Sequence, residues 1–215
     1  MQLNEWIWKP SDTPVNIESN IHPHIVEEKA HLFSSADGGS TEYEVLNWLH
    51  STIRVLKPNL ILETGGYQGI GTVALAHACK LNGFGKVISL EYLPSQCVAI
   101  ENLLQENNLQ KYVDVINMDS LRYLRNTSEI FDIGFFDSET TIRAHECDIL
   151  LSKNALRNLA VFHDTSPYRI ESYTSKEIQE KYRNDVIHLS KHPRCSGYYD
   201  SKLSRGFMTL WFNSL

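Results

Sequence analysis

The sequence predicts an α/β fold: a Rossmann-like, doubly wound, mostly parallel sheet of seven strands with an antiparallel strand at its C-terminal edge. Three observations predict it. From residue 59 onward short apolar runs alternate with amphipathic stretches, a βαβα rhythm that sets parallel strands between two helical layers. The first apolar run ends in a glycine-rich turn, Gly65-Gly66 and then Gly69 and Gly71, as at nucleotide sites of such sheets. The chain closes on two strand-like segments, DVIHL and RGFMTLWF, with no helix between them, and such a pair runs antiparallel.

The elements follow in order. Residues 1–39 contain Pro10, Pro14 and Pro23 and little periodicity, and they are expected to form an arm or lid over a single domain spanning residues 40–215. Trp6 and Trp8 in that arm are candidates to close a site. Thr41 and Glu44 have capping-box spacing, and Leu46, Leu49, Ile53 and Leu56 then recur at helical intervals until Pro58. Strands are predicted over 59–63, 86–91, 113–117, 131–136 and 158–163. Helices are predicted near 71–81, 94–107, 119–125 and 141–152, with a polar helix near 171–183.

Composition narrows the function. A net charge of −6 argues against the concentrated basic face that nucleic acid requires. No apolar run approaches the roughly 20 residues that span a bilayer. The N-terminus lacks a basic stretch followed by an apolar block, which predicts a cytoplasmic protein. Cys79, Cys97, Cys147 and Cys195 are widely spaced, which points to reduced, buried thiols rather than a zinc site or a disulfide framework. His22 and His24 are the one close histidine pair, and no third ligand stands at a recognisable spacing. His50, His77 and His188 are expected on helix or strand surfaces.

The stretch LETGGYQGIGTVALA admits two nucleotides. Gly69-Ile70-Gly71-Thr72-Val73-Ala74 fits the dinucleotide pattern G-x-G-x-x-A, and Glu91 stands 20 residues beyond Gly71, near where an acid for the ribose is expected. Glu63 argues against that reading, because a carboxylate at this turn repels a pyrophosphate. S-adenosylmethionine has no phosphate and carries an ammonium and a sulfonium, which suit an acid at the end of the first strand.

The sequence here resembles the class I S-adenosylmethionine-dependent methyltransferases, and within them the small catechol-type O-methyltransferases. LETGGYQGIGT is similar to their E-x-G-x-Y-x-G-x-S/T signature, and SLEYLPSQCVAIENL to their second-strand motif. The resemblance implies a methionine end held at Glu63, Gly65 and Gly69, with Gly66, Tyr67, Thr72 and Asp137 also at the cofactor. It also implies a ribose on Glu91 beside Tyr92, and an adenine near Asp119 and Ser120, although Asp119 equally reads as a helix cap.

Two further strands end in chemistry. FDIGFFDSE reaches Asp137, and LAVFHDTSP reaches His163, Asp164 and Thr165. Ligands bind beyond the carboxyl ends of strands in such a sheet, so these residues should face the crevice of Glu63 and Glu91. In the catechol-type relatives two aspartates and an asparagine bind Mg²⁺ here, which implies Asp137, Asp164 and Thr165 as metal ligands. Thr165 replaces the asparagine, and Thr140 stands where the relatives have a lysine base. Without metal, His163 is the candidate general base, with Asp137 and Asp164 beside it. Tyr168, Arg169 and the loop HPRCSGYYDSKLSR are candidate walls of an acceptor pocket. The expected activity is methyl transfer to a hydroxyl of a small molecule, by a homodimer if family habit holds. N-methylation without metal and NAD-dependent oxidoreduction remain the alternatives.

Overall fold

The computed structural model describes residues 15–16, 33–169 and 175–213. Trp6, Trp8, His22, His24 and most of the expected arm lie outside these residues. A short ladder pairs β1 (Val15–Asn16) with β2 (Ser34–Ser35). The main unit runs α1 (Tyr43–Leu56), β3 (Leu60–Thr64), α2 (Ile70–Asn82), β4 (Lys86–Glu91), α3 (Pro94–Glu106), β5 (Val113–Asn117), α4 (Ser120–Asn126), β6 (Phe131–Phe136), α5 (Arg143–Ser152), β7 (Leu156–His163), α6 (Lys176–Leu189), β8 (Cys195–Ser201) and β9 (Phe207–Phe212).

The seven strands order as β5-β4-β3-β6-β7-β9-β8, as the fold class predicts. β3 pairs in parallel with both β4 and β6, so the chain winds outward from β3, returns and continues on its other side. This reversal opens a crevice beyond the carboxyl ends of β3 and β6. Near-continuous apolar strands are what burial on both faces demands, and every residue of β6, FDIGFF, is buried. One core lies under α1, α2 and α3, centred on Leu49, Ile53, Leu75 and Ile100. The other lies under α4, α5 and α6, centred on Phe136, Leu150, Phe162 and Tyr182. Rings of Phe136 and Phe162 stack at 5.0 Å between neighbouring strands.

The C-terminal region corrects two expectations. DVIHL is the last part of α6, because Gln179, Tyr182, Val186 and Leu189 continue one buried helical face. The second late strand comes instead from the polar segment CSGYYDS, expected to be loop. Its tyrosines, Tyr198 and Tyr199, are exposed, as an outermost strand permits. β9 lies between β7 and β8 and pairs antiparallel with both. The capping box is also absent. Helix α1 begins after Glu42 with no side-chain cap, while Thr41 and Glu44 bond elsewhere. Among the described residues no helix is long and apolar enough to cross a membrane.

Candidate active site

The strand ends converge on a cavity of about 1080 Å³, whose wall includes Glu63, Glu91, Asp119, Asp137 and Asp164. Gly65 turns the chain out of β3 at φ +79, a conformation that strains any side chain. A Cβ there would lie 2.4 Å from the Asp137 carbonyl oxygen, so only glycine lets the β3 and β6 ends meet. Gly71 serves Glu63 in the same way, since a Cβ on it would come within 2.8 Å of Glu63 Oε1.

Glu63 is buried and reaches the cavity from below. Its Oε2 accepts from Thr72 Oγ1 at 2.5 Å and from Ser89 Oγ at 2.6 Å. Burial pushes its carboxyl up to about 7; the two hydroxyl bonds oppose this, and the negative charges of Asp137 and Glu91 reinforce it. A ligand cation would favour the charged form. Glu91 Oε2 accepts from Tyr67 N at 3.0 Å and Oε1 from Leu93 N at 2.8 Å, which fixes both oxygens. The Gln96 amide, in its satisfied orientation, also donates to both oxygens at 3.0 and 3.2 Å. Asp119 caps α4 by accepting from Arg122 N at 2.7 Å, and it also lines the cavity.

Of the sequence candidates, Gly65, Gly66, Tyr67, Tyr92 and Ser120 line the cavity, whereas Gly69, Thr72, His163 and Thr165 do not. Gly69 instead caps α2. Thr72 is fully buried and spends its hydroxyl on Glu63. Arg169 reaches the wall, and so does Arg205, the last residue of the loop expected to form it.

Beneath Asp137 lies a packed ionic cluster. His163 is fully buried, with Nδ1 3.1 Å from Asp137 Oδ1 and 3.2 Å from Asp164 Oδ1, and Nε2 against Glu42 Oε2. Arg143 donates from Nη1 to Asp164 Oδ2 at 2.9 Å and faces Asp137 Oδ1 with Nη2 at 3.1 Å. Arg205 donates from Nε to Asp164 Oδ1 at 2.9 Å and from Nη1 to Ser40 O at 2.8 Å. Burial raises the Asp137 carboxyl, but His163 and Arg143 outweigh it and hold it at about 2. Burial likewise opposes ionisation of Glu42, and His163, Arg205 and Ser204 overcome it, holding that acid well below its ordinary value. Asp164 itself adopts φ 61, a left-handed conformation that aspartate tolerates better than most residues.

Sequence reasoning missed Glu42, Arg143 and Glu146 and named Arg205 only as part of a pocket-wall loop, because periodicity gives no reason to single out an inward charge. Glu146 on α5 is fully buried and accepts from Thr64 Oγ1 and Ser138 Oγ, each at 2.8 Å, and from Ser120. It ties together the ends of β3 and β6 and the start of α4. Burial raises its carboxyl above the ordinary value despite those hydroxyls. The histidine expectation is corrected at His50, which is buried and lies 3.1 Å from His77 across α1 and α2.

Fold and site define a doubly wound sheet with a cavity set between acids at its strand ends. Residues 62–165 match the family model of a methyltransferase domain. The fold is similar to that of the SAH-bound methyltransferase PaMTH1 of Podospora anserina (17% identity, 81% of this chain and 80% of that one, TM-score 0.66). It is similar also to the O-methyltransferase of Bacillus cereus in complex with SAH (18%, 82% and 84%, 0.67). A third likeness is to the O-methyltransferase TomG of Streptomyces achromogenes, involved in tomaymycin synthesis and solved with SAM (17%, 82% and 83%, 0.68). No curated protein matches the sequence. The chain thus carries a methyltransferase domain over residues 62–165, which favours S-adenosylmethionine over the dinucleotide alternative.

Proposed function

We propose that this methyltransferase moves the methyl group of S-adenosylmethionine to a hydroxyl oxygen of a small molecule. The observation that carries the reading is Asp137. It leaves β6 directly beside the Gly65 turn, where the ionic cluster meets the cavity wall next to Glu63 and Gly66. The methionine end rests on Glu63, Gly65 and Gly66, the ribose on Glu91, and the adenine lies near Asp119 and Ser120. The acceptor enters over Asp137, Thr140, Arg143 and Arg169, which line the same cavity. Much of the acceleration comes from holding acceptor oxygen and methyl carbon in line.

Asp137 is the proton acceptor in this reading. A carboxylate held near 2 is a weak base toward a free alcohol. The oxygen's proton becomes far more acidic as the new C–O bond forms, so it passes to Asp137 late in the transfer. His163, enclosed by Glu42, Asp137 and Asp164, acts through those carboxylates rather than on the acceptor.

An amine acceptor is the second reading, favoured because a neutral amine needs no metal and no strong base. Incubation with donor labelled at the methyl carbon and a panel of small alcohols, phenols and amines separates the two. Carbon–proton correlation spectra of the product are expected to show an O-methyl group. Methylation of amines alone would contradict the first reading.

A further inference from the structure

The catechol-type resemblance implies a divalent ion on Asp137, Asp164 and position 165, and the residues present do not fit one. Asp164 is already held on both oxygens by guanidinium groups: Oδ2 by Arg143 at 2.9 Å, Oδ1 by Arg205 at 2.9 Å and by Arg169. Asp137 faces Arg143 through Oδ1 and accepts from Thr41 Oγ1 at 2.7 Å through Oδ2. Thr165 is fully buried and contributes nothing to the cavity wall, and its hydroxyl has no partner among the described residues. A hard dication wants about six oxygen ligands at close range. Here it would have to displace arginines from both aspartates and then sit beside three positive charges.

We propose that Arg143, Arg169 and Arg205 take over the work of that ion, so that methyl transfer in this chain is metal-independent and depends on an arginine brace under Asp137 and Asp164. The proposal rests on the methyltransferase reading of the cavity. Three guanidiniums stand against the carboxylates of Asp137 and Asp164, while Glu42 takes His163, the Ser204 hydroxyl and the Arg205 amide, so no carboxylate is left for a metal to fill. Arg143 also donates from Nε to Ser138 O at 2.6 Å and from Nη1 to His163 O at 2.7 Å, which locks the β6 and β7 ends to α5. Arg205 adds the segment before α1 through Ser40 O. A fixed, ionised Asp137 is then the floor on which an acceptor hydroxyl is aligned. In the step itself the acceptor oxygen attacks the sulfonium methyl carbon and the carbon–sulfur pair returns to sulfur, which becomes a neutral thioether. The hydroxyl proton passes to the Asp137 carboxylate, so the positive charge lost from sulfur leaves as that proton. Arg143 and Arg205 are positioning residues in this scheme.

The test uses the full chain stripped of metal. Calorimetric titration with S-adenosylhomocysteine comes first, and failure to bind would overturn the functional reading and the proposal with it. With that ligand bound, Mn²⁺ is titrated and its free signal followed by electron paramagnetic resonance. The expected result is no Mn²⁺ uptake, together with equal turnover of the acceptor in chelator and in Mg²⁺. Stoichiometric Mn²⁺ uptake that Asp137→Asn abolishes would overturn the proposal while leaving the methyltransferase reading intact. Arg205→Met and Arg143→Met extend the test: each is expected to lower kcat with little change in donor KM, with partial recovery in Arg143→Lys. Unchanged kcat in both folded methionine variants would overturn the brace. Should either fail to fold, the Mn²⁺ titration of the unaltered chain still decides.

Discussion

Thr72 Oγ1 donates to Glu63 Oε2 at 2.5 Å, so the first turn of α2 holds the acid that closes β3. Together with Ser89 this bond aims a buried carboxylate whose titration is pushed up to about 7. The donor's ammonium favours the ionised acid, so binding lowers that value and releases a proton. Affinity for S-adenosylhomocysteine is therefore highest above pH 7 and falls by up to about tenfold per pH unit below it. Glu63→Gln is expected to bind more weakly at pH 8 and to lose the dependence. Calorimetry in buffers of different ionisation enthalpy measures the released proton directly.

Glu91→Ala removes the carboxylate fixed by Tyr67 N and Leu93 N. Loss of charge-assisted bonds to two ribose hydroxyls weakens S-adenosylhomocysteine binding by roughly 10- to 100-fold. Global stability changes much less, because both amides border the cavity and can be hydrated. Parallel thermal melts and titrations separate the two effects.

Glu146 predicts a different pattern. Removing it in Glu146→Ala strands the buried hydroxyls of Thr64, Ser120 and Ser138, at a stability cost of roughly 2–4 kcal/mol. Donor affinity falls too, since Ser120 and Ser138 line the cavity. Glu146→Gln, which keeps an acceptor oxygen, should recover most of the stability in urea unfolding.

His50 carries a pH signature of its own. Burial first, then His77 and Arg54, lower its titration to about 4. The folded protein therefore binds fewer protons than the unfolded chain below about pH 6.5, and stability is lost as pH falls from there toward 4. At pH 5 the loss from this group is roughly 2 kcal/mol. His50→Gln is expected to show a smaller drop in Tm between pH 7 and pH 5 than the unaltered chain.

The sequence carried what regular burial dictates. Strands β3 to β7 and the helices between them follow from apolar periodicity, and the acids at their carboxyl ends, Glu63, Glu91, Asp137 and Asp164, follow from strand direction. The exceptions have physical causes. DVIHL has the composition of a strand, but the face of Tyr182, Val186 and Leu189 needed one more turn of helix to cover the sheet. Thr41 and Glu44 match a capping box locally, yet Thr41 bonds Asp137, 96 residues away, and Ser34 takes Glu44. Long-range pairs such as Glu42 with His163, or Arg205 with Asp164, leave no periodic trace, which is why the ionic cluster emerged only in three dimensions.

A crystal structure of the protein soaked with S-adenosylhomocysteine tests the central claim most directly. The ribose is expected on Glu91, with the ligand's amino group within hydrogen-bonding reach of the Glu63 side of the cavity and its sulfur toward Asp137. An adenosyl group bound away from Glu91, or a Glu63 carboxylate turned from the ligand, would contradict it.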